Sequence, residues 1–376
     1  MGRNEHEHDS RARPTTVMGG IEGLLRKRLV VCVGAGGVGK TTTAAALALA
    51  GALHARRTAV ITVDPALRLK DALGLDDLSM EPHAVAVNSS AHFDALALDT
   101  KRAFDALIER FAPSPTVSAR ILANRLYQEL SNELAGSAEY MAMEKLHELL
   151  HLRRYQVLIV DTPPSAHARD LLTAPSRLTN LLASRAVSFL QTPAALLGEP
   201  TSTFARVALS ALLKVLQRWT GFDLLHDLSD FAAAFEHMIE GFQTRAEEVS
   251  RLLRAPSTAF VLVTTPEPHT IETAISFHRE LVDGGFPVAG IVANRVVAFP
   301  RLDERDSAAG KWDARLRAKL LRNYGELQAL SRRDRRALRR LQAETGAPLL
   351  AAVPAVSAAP TSLAGLERFA RLLVPM

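Results

Sequence analysis

The 376-residue sequence predicts an α/β fold: a mostly parallel, doubly wound sheet carrying an α-helical insert subdomain. Three observations lead there. Short Val-, Ile- and Leu-rich runs alternate with longer helical stretches, and runs apolar on both faces suit strands covered by helices above and below. Several runs end at Asp64, Asp161, Asn294 or Pro354, and in such sheets ligands gather at the carboxyl ends of the strands. A glycine-rich turn also joins the first apolar run to a helix.

Residues 1–27 are polar and mixed in charge, and read as a flexible lead-in to a single domain over 28–376. The first strand is Leu29–Val33, and a helix starts at Thr41. A second strand, Thr58–Val63, meets Asp64-Pro65, which begins a loop entering a helix. A third, Phe93–Leu98, ends at Asp99. Residues 101–151 read as helical, before the strand Val157–Val160 and its terminal Asp161-Thr162-Pro163-Pro164. A second helical insert spans about 176–254, with a break near Pro193 to Pro200. Strands return at Ala259–Thr264, Pro287–Val292 and Leu349–Val353. Between them lie a helix after Pro268 and a basic helix over Asp313–Glu344, and a last helix covers Ser362–Leu373.

The turn carries chemistry. Gly34, Gly39, Lys40 and Thr41 fit the phosphate-loop pattern G-x-x-x-x-G-K-[ST]. Gly34, Gly36, Gly37 and Gly39 allow the backbone, Val38 included, to turn its N–H groups toward phosphate oxygens. The helix N-terminus adds partial positive charge. Lys40 can reach the β- and γ-phosphates, Thr41 can sit on Mg²⁺, and Thr42 is placed for the α-phosphate. This makes the fold a P-loop NTPase. Asp161, closing an apolar strand, suits the acid that holds the Mg²⁺ shell. Asp64 could orient or deprotonate an attacking water. Gly34, Gly36 and Gly39 also spell the dinucleotide fingerprint G-x-G-x-x-G, but that motif gives Lys40-Thr41 no role.

Composition narrows the alternatives. Hydrophobic residues make up 48% of the chain, enough for a substantial core, while aromatics are only 5%. A single cysteine, Cys32, excludes an intrachain disulfide and any multi-cysteine metal site. With no apolar leader and no long uncharged span, the expected location is the cytoplasm. The net charge of +5 is uneven: residues 301–345 hold 13 Lys/Arg against 7 Asp/Glu. Without interleaved aromatics this reads as a solvated helix face, and nucleic-acid binding is not expected.

On these motifs the chain resembles the ArsA-type ATPases, which comprise arsenical-pump-driving ATPases and targeting factors for tail-anchored membrane proteins. They belong with the MinD- and ParA-like proteins to the deviant-Walker NTPases. The likeness runs nearly the whole way from Leu29. Gly34–Thr42 matches the family's phosphate loop, and Asp64-Pro65-Ala66 its first switch. Asp161-Thr162-Pro163-Pro164 with His167 resembles its second switch, and Thr265-Pro266-Glu267 precedes a helix as in the family. Asn294 and Pro354 match positions that hold adenine. The resemblance implies ATP with Mg²⁺, a homodimer or a heterodimer with a related chain, and switches that move on hydrolysis. It also implies an apolar helical client, for which Phe189-Leu190, Ala194–Leu197 and Leu209–Leu216 are apolar enough to line a groove.

Three departures stand out. The family loop has a lysine where this chain has Ala35, which suggests slow hydrolysis, a partner subunit that supplies the charge, or a substitute cation such as Arg68 or Arg169. Cys32 alone cannot form the thiolate cluster that arsenite needs, so no arsenite binding is expected. The Cys-x-x-Cys zinc clip of some family dimers is absent. Finally, His147-Glu148-Leu149-Leu150-His151 spells H-E-x-x-H, a zinc-protease pattern. No third ligand is indicated nearby and His151 falls at a helix end, so no zinc site is expected.

Overall fold

The computed structural model describes residues 20–64, 68–112, 114–123, 128, 137–163, 244–297, 313–356 and 359–373. Eight strands form one sheet: β1 Leu29–Val33, β2 Thr58–Thr62, β3 His83–Ala86, β4 His92–Ala97, β5 Val157–Asp161, β6 Thr258–Thr264, β7 Val288–Val296 and β8 Leu349–Pro354. Their order is β3-β4-β2-β5-β1-β6-β7-β8. Every pairing is parallel except β3 with β4. This is the mostly parallel α/β sheet that the sequence implies.

Period-two alternation divides the core into two faces. Val30 and Cys32 point to one, where α1 (Gly20–Leu24), α2 (Lys40–Leu53), α3 (Arg68–Leu73) and α10 (Leu363–Leu373) pack. Leu29, Val31 and Val33 point to the other, covered by α6 (Ser137–His151), α7 (244–254), α8 (Pro268–Asp283) and the end of α9 (Ala314–Thr345). The remaining described helices are α4 (Thr100–Phe111) and α5 (Pro115–Ala123). Alanine makes α2 slim enough to lie close against the strands: Ala44 to Ala50 are completely buried.

Several element ends differ from the sequence reading. Asp161 is the last residue of β5 rather than the first beyond it, because it pairs with both Cys32 and Thr62. β7 runs on to Val296, held by β8, so Asn294 lies inside a strand. The chain is already packed ahead of position 27, since α1 buries Ile21 and Leu24. β3 was not anticipated: only Val85 is buried in it, so its sequence lacks a strand's apolar run. The exposed arginines of α9 form a solvated face, with Arg340 paired to Glu272 at 2.6 Å and Glu344 at 2.7 Å. Residues 1–19, most of the 176–254 insert and its three apolar segments lie outside the described residues.

Phe260 is fully buried in β6, its ring 5.2 Å from that of Phe286. Phe260→Ala opens a cavity between the sheet and its helices. The expected loss is about 3–5 kcal/mol, read as a lowered midpoint in urea denaturation followed by circular dichroism.

Candidate functional site

The chain leaves β1 toward β2 and only later returns to place β5 and β6 on either side of β1. The carboxyl end of β1 is therefore a topological switch point, where the flanking connections diverge and leave a crevice. The glycine turn lies there. Gly34 and Gly39 have φ of 151° and 98°. A Cβ at Gly34 would stand 2.1 Å from the Val263 carbonyl oxygen, and one at Gly39 would stand 2.2 Å from Asn294 Nδ2. Only glycine fits either place. Gly36 and Gly37 are exposed, so the loop offers bare backbone to solvent, whereas Val38 is buried beneath it.

Lys40 opens α2 and is 6% exposed. Its Nζ donates to the Ala35 carbonyl at 2.8 Å, so the side chain folds back across its own loop. Burial pulls its pKa down, opposed by the charges of Asp161 and Asp64. Thr41 and Thr42 are half-buried at the helix start.

Asp161 is fully buried. Its Oδ2 accepts from the Thr62 hydroxyl at 2.9 Å, while Oδ1 has no hydrogen-bond partner. Burial pushes its pKa up to about 6, against the opposing influence of Thr41, Thr62 and Lys40. An acidic oxygen in this setting has the chemistry of a hydrated divalent cation's holder: a hard anionic donor at the carboxyl end of β5, beside a helix-initiating threonine. The residues present thus fit Mg²⁺ with a phosphate chain.

Thr62 is a contributor that the sequence reading missed. Its oxygen also accepts from the Asp64 backbone N–H at 3.2 Å, so one hydroxyl joins the two acids. Nothing in a strand threonine's local sequence marks such a role; the β2–β5 register creates it. Asp64 itself is 9% exposed and pairs with Arg68 at 3.5 Å. Arg68 thus sits beside the first acid, while Arg169 and His167 lie outside the described residues, as do Pro65 and Ala66. Asn294 donates from Nδ2 to the Val38 carbonyl at 2.9 Å, so β7 buttresses the loop directly. Pro354 ends the adjacent β8 and is half-buried. Thr265 and Thr270 share a hydroxyl contact of 2.9 Å that locks the turn into α8.

The raised Asp161 pKa has a sign that can be worked out. Protonated at low pH, the buried carboxyl costs the fold little. As pH rises from its unfolded value near 4 through about 6, the folded state must carry a buried charge and loses stability. Asp161→Asn stays neutral throughout. Without nucleotide or Mg²⁺, the variant is expected to be more stable than wild type at pH 7.5 by about 1–3 kcal/mol, with the gap closing at pH 4. Denaturation in EDTA at the two pH values reads this directly.

The family model for anion-transporting ATPases matches residues 27–320. Curated relatives include an ATPase GET3 of Malassezia globosa, 31% identical over 153 residues, which are 41% of this chain and 44% of that one. An ATPase get3 of Aspergillus terreus is 26% identical over 275 residues, 73% of this chain and 74% of the relative. An ATPase GET3 of Mycosarcoma maydis is 29% identical over 150 residues, 40% and 43% of the two chains. The chain thus spans under half the length of the first and third relatives, and about three-quarters of the second. A phosphate loop at the switch point, two strand-end acids and a family match over most of its length place this chain in the ArsA-type anion-transporting ATPase family.

Proposed function

We propose that the chain is an ATP-binding and ATP-hydrolysing molecular switch that couples Mg-ATP to dimer closure and to the binding of a client or partner. The observation that carries the reading is the buried, unpartnered Oδ1 of Asp161 beside Lys40 and Thr41. In this reading Gly34, Gly36, Gly37, Val38, Gly39, Lys40, Thr41 and Thr42 wrap the phosphates. Thr41 and Asp161 hold Mg²⁺, Asp64 positions water, and Asn294 and Pro354 border the adenine. Mg²⁺ would neutralise developing charge on the transferring phosphoryl group.

Lys40 must then exchange the Ala35 carbonyl for phosphate oxygens. That exchange replaces a neutral acceptor with a charged one and strengthens the bond. Asn294 already holds Val38, so the loop is preorganised rather than assembled on binding.

Cys32 supports the absence of arsenite binding: it is buried in β1, and burial pushes its thiol pKa up, away from the thiolate that As(III) requires. No described helix is long and apolar enough to cross a membrane, and a cytoplasmic location belongs to the proposal. So do the dimer, with itself or a related chain, and an apolar helical client. The relatives named ATPase GET3 support hydrolysis.

Ala35 favours a second reading, a non-hydrolysing ATP-binding regulatory subunit of a heterodimer. Steady-state hydrolysis by the purified chain with Mg²⁺ separates the two. The switch reading expects measurable turnover that falls about 10²-fold or more in Asp64→Asn, with ATP binding retained. ATP bound without turnover in the wild type would overturn it in favour of the regulator.

A further inference from the structure

The H-E-x-x-H segment has a partner that its own sequence does not reveal. His147 and His151 sit one turn apart at the end of α6, their rings stacked with centroids 3.9 Å apart. Glu248, on α7 about a hundred residues further on, reaches both. Its Oε2 lies 2.8 Å from His147 Nε2 and 3.6 Å from His151 Nε2. All three donor atoms fall within 4.8 Å of one another. Two tetrahedral ligands at zinc distances stand about 3.3 Å apart, so both Glu248 pairs lie within about half an ångström of that spacing, and the two histidine nitrogens, within 4.8 Å of each other, close on an ion by side-chain rotation.

The tautomer of His151 strengthens the case. Its Nδ1 lies 3.0 Å from the His147 carbonyl oxygen, which can only accept, so Nδ1 carries the proton. In the neutral ring Nε2 is then a lone pair, and it faces a carboxylate oxygen. Two acceptors facing each other repel unless a proton or a metal cation lies between them, and a metal cation is the occupant that would satisfy both rings and the carboxylate together. The Nδ1 bond to a backbone carbonyl is also the outer contact that orients metal-ligating histidines.

We propose that His147, His151 and Glu248 bind a divalent transition-metal ion of the zinc class. Two imidazoles and a carboxylate form a three-ligand set that leaves a coordination position open. A cavity of about 230 Å³ adjoins them, its walls including Arg28, Arg153 and Leu252, and it has room for a water or a small anion as fourth ligand. The site is not a protease centre. Glu148, the base that H-E-x-x-H chemistry requires, is paired with Lys145 at 3.0 Å.

Its position gives it a different role. Arg28, just before β1, donates to the Leu150 carbonyl at 2.7 Å, so the cluster lies at the amino edge of the strands, opposite the phosphate loop. α6 leads into β5 and α7 into β6, the strands on either side of β1. A bound ion clamps these two lead-in helices together. The inference does not depend on the nucleotide reading.

The test uses the untagged, chelator-stripped full chain. Cobalt titration followed by visible absorption, zinc calorimetry and elemental analysis should each report about one equivalent per chain, and zinc should raise the melting temperature. His151→Gln and Glu248→Gln should each weaken uptake at least about ten-fold and abolish the thermal shift, with far-ultraviolet circular dichroism unchanged. His151 is 63% exposed, so its replacement leaves the fold in place. His6 and His8 form a rival pair in the sequence, so His6→Gln/His8→Gln should retain uptake. Three results would overturn the site: no uptake by wild type, uptake indifferent to both ligand variants, or uptake lost with His6 and His8.

Discussion

Much of this structure follows from one buried negative charge. Asp161 closes a strand that is paired on both sides, so its backbone is committed and its side chain, in step with Val157 and Ile159, leaves the sheet on the α2 face. Burying an ion there is costly, and the cost falls only as far as neighbours meet it. Thr62 satisfies one oxygen, and Lys40 and Thr41 help from the loop side. The other oxygen is left without a hydrogen bond. A polar cluster with one member unsatisfied is unstable relative to the same cluster completed. The proposed affinity for a cation and the cost of leaving this oxygen unsatisfied would therefore have one cause.

The same charge explains the posture of Lys40. Desolvation alone would drive a buried ammonium toward neutrality, and two carboxylates nearby oppose that. The ammonium reaches the Ala35 carbonyl, which is available because the loop curls around it. Ala35 thus contributes through its backbone carbonyl rather than its side chain. Around this pair, β2 joins the two acids and β7 holds the loop through specific bonds. Thr62 ties Asp64 to Asp161, and Asn294 ties β7 to Val38. Displacing the end of β2 by an ångström would break a bond between the acids, and displacing β7 a bond to the loop, so strand packing and site geometry are one constraint.

What the sequence made legible and what it hid divide along physical lines. Strands β1, β2, β5 and β6 are buried along their whole lengths, so each carries an apolar run: all of β1, and residues 59–61, 157–160 and 259–263 of the others. The phosphate loop was legible because glycine, lysine and threonine are demanded at fixed spacing by a local backbone shape. β3 was not, because an edge strand with one buried residue has no such run. Thr62 and Glu248 were hidden for another reason. Each acquires its role from a partner about a hundred residues away, and only the sheet register or helix packing supplies that partner. Strand ends slipped for the same reason: Asp161 and Asn294 read as polar terminators, whereas β1 and β2 keep Asp161 in the ladder and β7 runs past Asn294 to pair Val296 with Pro354.

The two candidate sites occupy opposite edges of the same three strands. Four residue steps of β5, about 13 Å at strand rise, separate Val157 at one edge from Asp161 at the other. Every residue of β5 and β1 is buried, which leaves no room for a second arrangement of either strand. Energetic coupling between distant sites needs an element with two discrete states that both ligands bias. These strands do not supply one. Ligation at each proposed site would therefore stabilise the fold by its own mass action, and the two contributions would add. Any departure from additivity must arise in the helices packed over the strands, where Leu146, Leu149 and Leu150 of α6 meet Val249 and Leu253 of α7 in the shared core. That contact is the one the proposed ion would clamp.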